Sequence, residues 1–218
     1  DVQQFEDSNP DVAVRVDYLH PDDVYARVLA GEADLGIVSF PRDGGEISSI
    51  AWQDQPLVLV VPPTHRLAAS REIPVSQLDG CEYVAFTSEL AVCNHIGRLL
   101  RGAKVAVHVN HEFDNIENIK RAVEAGTGVA VLPQPTVQRE VEQGSLVTVE
   151  FSDVKWSRPL GFIHRRHKTL TSVAEQFVDL LCGSSPDNSP DCATRRSRGR
   201  AKAKKRSSRR PRTSSASR

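Results

Sequence analysis

Apolar and polar residues alternate at Val12, Val14 and Val16, a period of two that predicts a strand. Ahead of it, Val2 and Phe5 share one helical face and Pro10 closes the segment, which reads as the tail of a helix. A helix begins at Asp22 or Asp23, carries Val24, Val28 and Leu29, and stops at Gly31. "ADLGIVS" follows as a second strand, and strand–helix–strand in this order implies a right-handed parallel crossover. The pattern then changes. "PLVLVV", 56–61, is apolar on both faces and reads as an interior strand that Pro62 and Pro63 end. "CEYVAF" predicts another strand. After it, Thr87 or Ser88 caps a helix bearing Val92, Ile96, Leu99 and Leu100, which Gly102 ends. Val105, Val107 and Val109 alternate as the next strand.

"HEFDNIENIKRAVEAGTGVAVLP", 111–133, holds a helix start, a helix body, a stop and a strand. Asp114 or Asn115 caps the helix, and Glu117, three after Asp114, fits a capping box. Ile116, Ile119 and Val123 share one face, Gly126 suits a left-handed stop, and Val129 to Leu132 forms a short apolar strand. A helix to Gly144, the strands "LVTVEF" and "PLGFIH", and a helix with Leu170, Val173, Phe177, Leu180 and Leu181 complete the pattern, closed by Gly183. The elements group into two αβ blocks, 1–75 and 80–155, and 159–182 has no third block to join. If it returns to the first block, the chain crosses between lobes twice, near 74–80 and 154–159. Two crossings make a hinge, and a hinge between αβ lobes makes a ligand cleft.

Charge changes this picture at one end. The 218 residues balance 28 Lys and Arg against 28 Asp and Glu, but twelve of the basic residues lie in 195–218, which has no acid. That leaves 16 basic against 28 acidic residues and a body near −12. The segment from 184 to 218, rich in Ser, Arg and Lys, has little to bury and is expected to be disordered. A basic tail of this kind favours weak, salt-sensitive, sequence-indifferent contact with nucleic acid. Cys81, Cys93, Cys182 and Cys192 show no CxxC spacing, which suits reduced thiols in a cytoplasmic protein. "CNH", 93–95, and "HVNH", 108–111, lack a second ligand pair, so neither metal nor cofactor is expected. No apolar run approaches a membrane span and no signal peptide stands at the start. The chain begins at Asp1 and has no Met, which reads as a cut N-terminus.

Several segments together resemble one family. "NPDVAVRVDYLHPDDVYARVLAGEADLGIV", "LVLVVPPTHRLA", "NIKRAVEAGTGVAVLP", "VEQGSLVTVEF" and "RPLGFIHRRHKTLTSVAEQFVDLL" are similar, in order, to the effector-binding domain of LysR-type transcriptional regulators over 1–182. The resemblance implies an α/β, two-lobed periplasmic-binding-protein-like fold of type 2, small and often anionic metabolites as ligands, and a homo-oligomeric, cytoplasmic regulator. It also marks departures. The family's winged helix-turn-helix, linker helix and first effector-domain strand are missing from the motifs found. "HRLA", 65–68, replaces a common His-Pro-Leu-Ala, and nothing in the family resembles the basic tail.

Carried over by position, three places are expected to face the cleft: Thr87 with Ser88, Asp114 with Asn115 and Ile116, and Ser39 with Phe40 and Pro41. Helix N-termini at Ser88 and Asn115 would receive an anion through backbone N–H groups. The resulting function is sensing of a small anionic effector for transcription control, with DNA read by the head and no catalysis. A periplasmic solute-binding protein of the same fold is the alternative. An enzyme would need Ser88, His95 and Asp114 to assemble as a triad, and residue order alone carries little weight for that.

Overall fold

The computed structural model describes residues 2–167 and 170–184. In chain order the first elements are α1 (Val2–Ser8), α2 (Pro21–Ala30), β1 (Gly36–Ser39), β2 (Ile47–Val61), β3 (Glu72–Ile73) and β4 (Glu82–Phe86). Then come α3 (Ala91–Gly102), β5 (His108–Phe113), α4 (Ile116–Glu124), β6 (Ala130–Pro133) and α5 (Gln138–Gln143). The last are β7 (Val147–Phe151), β8 (Ser157–Arg165) and α6 (Ser172–Ser184). Two compact units share this chain: one takes Asp1–Gln53 and the chain from Gly161, the other Asp54–Leu160.

In the first unit the strands lie in the order β1, β8, β2. Neighbouring residues of β8 face opposite sides, as a strand requires. Phe162 packs with Ile50, Val178, Leu181 and Cys182, so α6 covers that face. Ile163 packs with Val28, Val38 and Ile47, so α2 covers the other. Gly36 permits the second contact: a Cβ there would stand 2.5 Å from Val24 Cγ1 and 2.9 Å from Ile163 Cγ1. Phe5 of α1 meets Phe177 edge-on at 5.0 Å. His20 caps α2, its Nδ1 accepting from Asp22 N at 3.4 Å, and Pro21 fills the first position, where no N–H is needed.

The second unit is built on Leu57–Val61, five consecutive buried residues at the end of β2. This stretch pairs antiparallel with β6 on one side and β7 on the other, and burial on both faces explains its unbroken apolar run. β3 pairs parallel with β7, and β4 pairs parallel with β5. A bridge from Tyr83 to Val129 ties β4 to the approach of β6.

Several expectations give way here. Residues 11–20 form no strand, although Val12 and Val14 keep their period and are half-buried; no ladder partner lies beside them among the described residues. Val16 and Tyr18 are exposed. The expected crossover into β1 therefore lacks its first strand. The strand expected at 105–109 runs instead from His108 to Phe113. Val105 is buried as part of the turn after α3, where Lys104 rather than Gly102 takes the left-handed conformation, φ 59°. The units change over at 53/54 and 160/161 rather than at 74–80 and 154–159. The reason is β2, which passes from one unit into the other without a break, so that 54–75 belong with the second unit. Helix α6 runs on through Gly183 to Ser184. The basic segment 185–218 and Cys192 lie outside the described residues. Cys81 and Cys93 are free thiols as expected, but Cys182 is disulfide-bonded, against the expectation of four reduced thiols.

Candidate functional site

Phe86, the last residue of β4, stands opposite Phe113, the last residue of β5. Parallel pairing therefore sets the two carboxyl ends side by side, and the backbone continues that pairing: Thr87 N donates to Phe113 O at 3.0 Å. Thr87–Ser88 and Asp114–Asn115–Ile116 are thus brought together at one edge of the second unit. In α/β folds this carboxyl edge is where ligands bind, because side chains and free helix amides converge there while the strand backbone is already satisfied.

The two halves of this edge are built differently. Asn115 is the N-cap of α4, its Oδ1 accepting from Asn118 N at 2.9 Å, and its amide group donates to Asp114 Oδ1 at 2.9 Å. Asp114 is therefore not the cap, and Glu117 makes no capping box with it. Glu117 instead pairs with Lys120 at 2.8 Å. Ser88 is not a helix cap either. Leu90 N donates to Thr87 O at 3.1 Å, closing a turn that delays α3 to Ala91, and its cap position is Leu90, which offers no side-chain bond. The expectation of a helix N-terminus at Ser88 is corrected by that turn. Its consequence is chemical: among the described residues the Thr87 and Ser88 hydroxyls have no hydrogen-bond partner and are open to one. Ser88 O accepts from Asn94 Nδ2 at 3.1 Å, which fixes the loop.

Ser39 ends β1 in the first unit, and Phe40 follows it half-buried with φ 53°. A phenylalanine in the left-handed region costs about 1–3 kcal/mol, which the surrounding structure offsets. Two of the three residues a triad would need are engaged elsewhere. His95 Nε2 faces Ser157 O at 3.1 Å, and Asp114 holds Asn115. Burial, with the neighbouring Arg98 charge, outweighs the Ser157 hydrogen bond and holds the His95 pKa below the usual histidine value. No group of three or more His, Cys, Asp or Glu among the described residues is placed to hold a metal ion. No helix among them is long and apolar enough to cross a membrane.

Pattern reading missed Arg158 and Gln55, at the ends of β8 and β2 that belong to the second unit. Arg158 Nη2 donates to Gln55 Oε1, while its Nε is buried without a partner. Burial pulls its pKa down to about 10. The available signal was a basic residue opening an otherwise apolar strand, "RPLGFI", with no acid at strand spacing.

With this geometry in place, the relatives are informative. The chain is 24% identical over 177 residues to the RuBisCO operon transcriptional regulator of Allochromatium vinosum, covering 81% of this chain and 59% of that protein. It is 25% identical over 189 residues to the HTH-type transcriptional regulator YeiE of Escherichia coli K12, covering 87% and 63%. The chain thus spans about three-fifths of the length of these relatives. The regulatory domain of Synechocystis PCC6803 CcmR, solved in complex with 2-PG, matches with TM-score 0.75 at 24% identity over 84% of this chain and 88% of that one. The effector-binding domain of QuiR, solved with shikimate, matches with TM-score 0.72 at 16% identity over 83% and 86%. The fold is that of LysR regulatory domains, the α/β periplasmic-binding-protein-like type. Residues 2–183 match the LysR substrate binding domain, and the chain belongs to that family.

Proposed function

We propose that this chain is the effector-sensing part of a LysR-type transcriptional regulator, and that its effector is a small organic anion. One observation carries the reading: the side-by-side placement of Thr87–Ser88 and Asn115–Ile116 at the carboxyl ends of β4 and β5. Two open hydroxyls and the unbonded first amides of α4 offer donors from both sides of a small molecule. Ile116 supplies an apolar wall beside them. The protein catalyses nothing. Reading DNA falls to the remaining two-fifths of such a regulator, which works as a homo-oligomer in the cytoplasm, and 195–218 adds weak salt-sensitive contact with DNA. The curated relatives are named as transcriptional regulators, which favours this reading over a periplasmic solute-binding protein.

Thermal denaturation of the chain against a panel of small organic acids, with 2-PG and shikimate among them, tests the reading. At least one member should raise Tm in a saturable manner. Ser88→Ala should weaken that ligand about fivefold, on the order of 1 kcal/mol for one lost hydrogen bond, with the unliganded Tm unchanged. Undiminished binding by both Ser88→Ala and Thr87→Ala would move the site elsewhere.

A further inference from the structure

The carboxyl edge of β4 and β5 is rich in polar groups but holds acids of its own, Glu89, Asp114 and Glu117. Hydroxyls and amides there do not by themselves supply a positive charge. A candidate cation lies on β8, one residue beyond a backbone contact with α3. His95, in the second turn of α3, reaches Ser157 O at 3.1 Å, and the next residue along β8 is Arg158. The buried cation of this unit is handled quite differently from Arg158, which is partly buried. Lys120 is held by Glu117 at 2.8 Å, Glu140 at 2.9 Å and Thr136 O at 3.2 Å. Arg158 has no carboxylate within ion-pair distance among the described residues, only the neutral amide of Gln55, and one of its N–H groups is buried with nothing to donate to.

We propose that Arg158 is the counter-charge that receives the anionic group of the effector, with Gln55 holding the plane of the guanidinium. The inference rests on the reading of the chain as an effector-binding domain and adds the residue that selects for charge. A guanidinium presents parallel N–H donors at the spacing of two carboxylate or phosphate oxygens. Gln55 occupies one Nη2 donor, and the remaining Nη donors are left for a ligand. A partly buried cation without a counter-ion weakens the unliganded fold, since its lost hydration is not repaid within the protein. Burial already lowers the Arg158 pKa, and a bound anion restores the missing partner. A purely structural Arg158, pinning β8 to β2 through Gln55, would behave in the opposite way on removal. It would take stability with it.

The test uses the full chain, with Arg158→Met to keep the aliphatic stem and Arg158→Lys to keep charge without the fork. Tm is followed against inorganic phosphate, shikimate and the uncharged methyl ester of shikimate at constant ionic strength. Wild type should be stabilised by phosphate or shikimate and not by the ester. Arg158→Met should keep or raise the unliganded Tm and lose at least tenfold in apparent affinity, and Arg158→Lys should fall between. An Arg158→Met chain that no longer folds, or loses much of its unliganded Tm, overturns the proposal in favour of a structural arginine. Anion stabilisation that survives Arg158→Met and is lost in Ser88→Ala overturns Arg158 while leaving the effector site where it was placed. A wild-type chain that no anion stabilises, phosphate at high concentration included, overturns the anion site and leaves sensing to be decided by the wider panel.

Discussion

Lys120 is 6% exposed, and its ammonium is compensated by Glu140, Glu117 and the Thr136 carbonyl. Removing one partner of such a pair leaves an unbalanced buried charge, so Lys120→Met should cost about 3–5 kcal/mol in denaturant unfolding. Adding Glu140→Leu should recover most of that loss, because the stranded carboxylate leaves with it; one Glu140 oxygen already lacks a partner. The pH dependence has a defined sign. Burial raises the Glu140 pKa, but its hydrogen bond and proximity to Lys120 outweigh this and hold it below the ordinary carboxylate value. Its contribution is therefore present above that ordinary value and is lost as pH falls through the depressed one. Lys120 is shifted up by its two glutamates against the effect of burial, so its share is full below the ordinary lysine value and fades only as pH rises through the folded one. Glu140→Gln should flatten the acid limb of a stability–pH curve and leave the neutral region otherwise shaped as in wild type. Gly128 is constrained more tightly than its sequence suggests. A Cβ there would stand 2.8 Å from Glu82 O, a backbone atom with little room to yield, so Gly128→Ala should cost about 1–3 kcal/mol.

At the scale of elements, what could be read in the sequence depended on whether local chemistry or a distant partner decided the outcome. Helix α4 was legible because its cap, apolar face and glycine stop at Gly126, φ 78°, are all local. Even there the choice between Asp114 and Asn115 turned on backbone geometry, and Asn115 took the cap. Asn115→Ala should accordingly lower stability by about 1 kcal/mol, whereas Ser88→Ala should not, and chemical denaturation of the two variants side by side checks the contrast. Helix α3 starts two or three residues later than a cap at Thr87 or Ser88 implies, because the Thr87–Leu90 turn leaves no mark in periodicity. The strand missed at 47–55 and the one wrongly expected at 12–16 share a cause: pairing is non-local. Residues 47–55 are polar enough to read as a loop yet form a ladder in β2. Val12 to Val16 alternate well and find no partner among the described residues. Arg158 escaped notice for the same reason, since its significance lies in the acids that are absent around it in space.

For the whole molecule, the order of αβ elements sufficed to indicate a two-part chain crossed twice, and the units observed are joined twice, by β2 and β8. The boundary fell elsewhere because a continuous 15-residue strand hides a change of unit that composition does not signal. The proposed site is where family resemblance and geometry meet: resemblance picked out Thr87, Ser88, Asn115 and Ile116, and strand pairing brings those four together. Amide hydrogen exchange, with and without the most stabilising anion of the panel, tests whether the effector seats at the carboxyl ends of β4 and β5. A ligand there should slow exchange only in 87–92, 115–118 and 157–159, with little change through Val178–Cys182 in the core of the first unit. Protection that is uniform over the chain, or that spares 87–92 and 115–118, would contradict it.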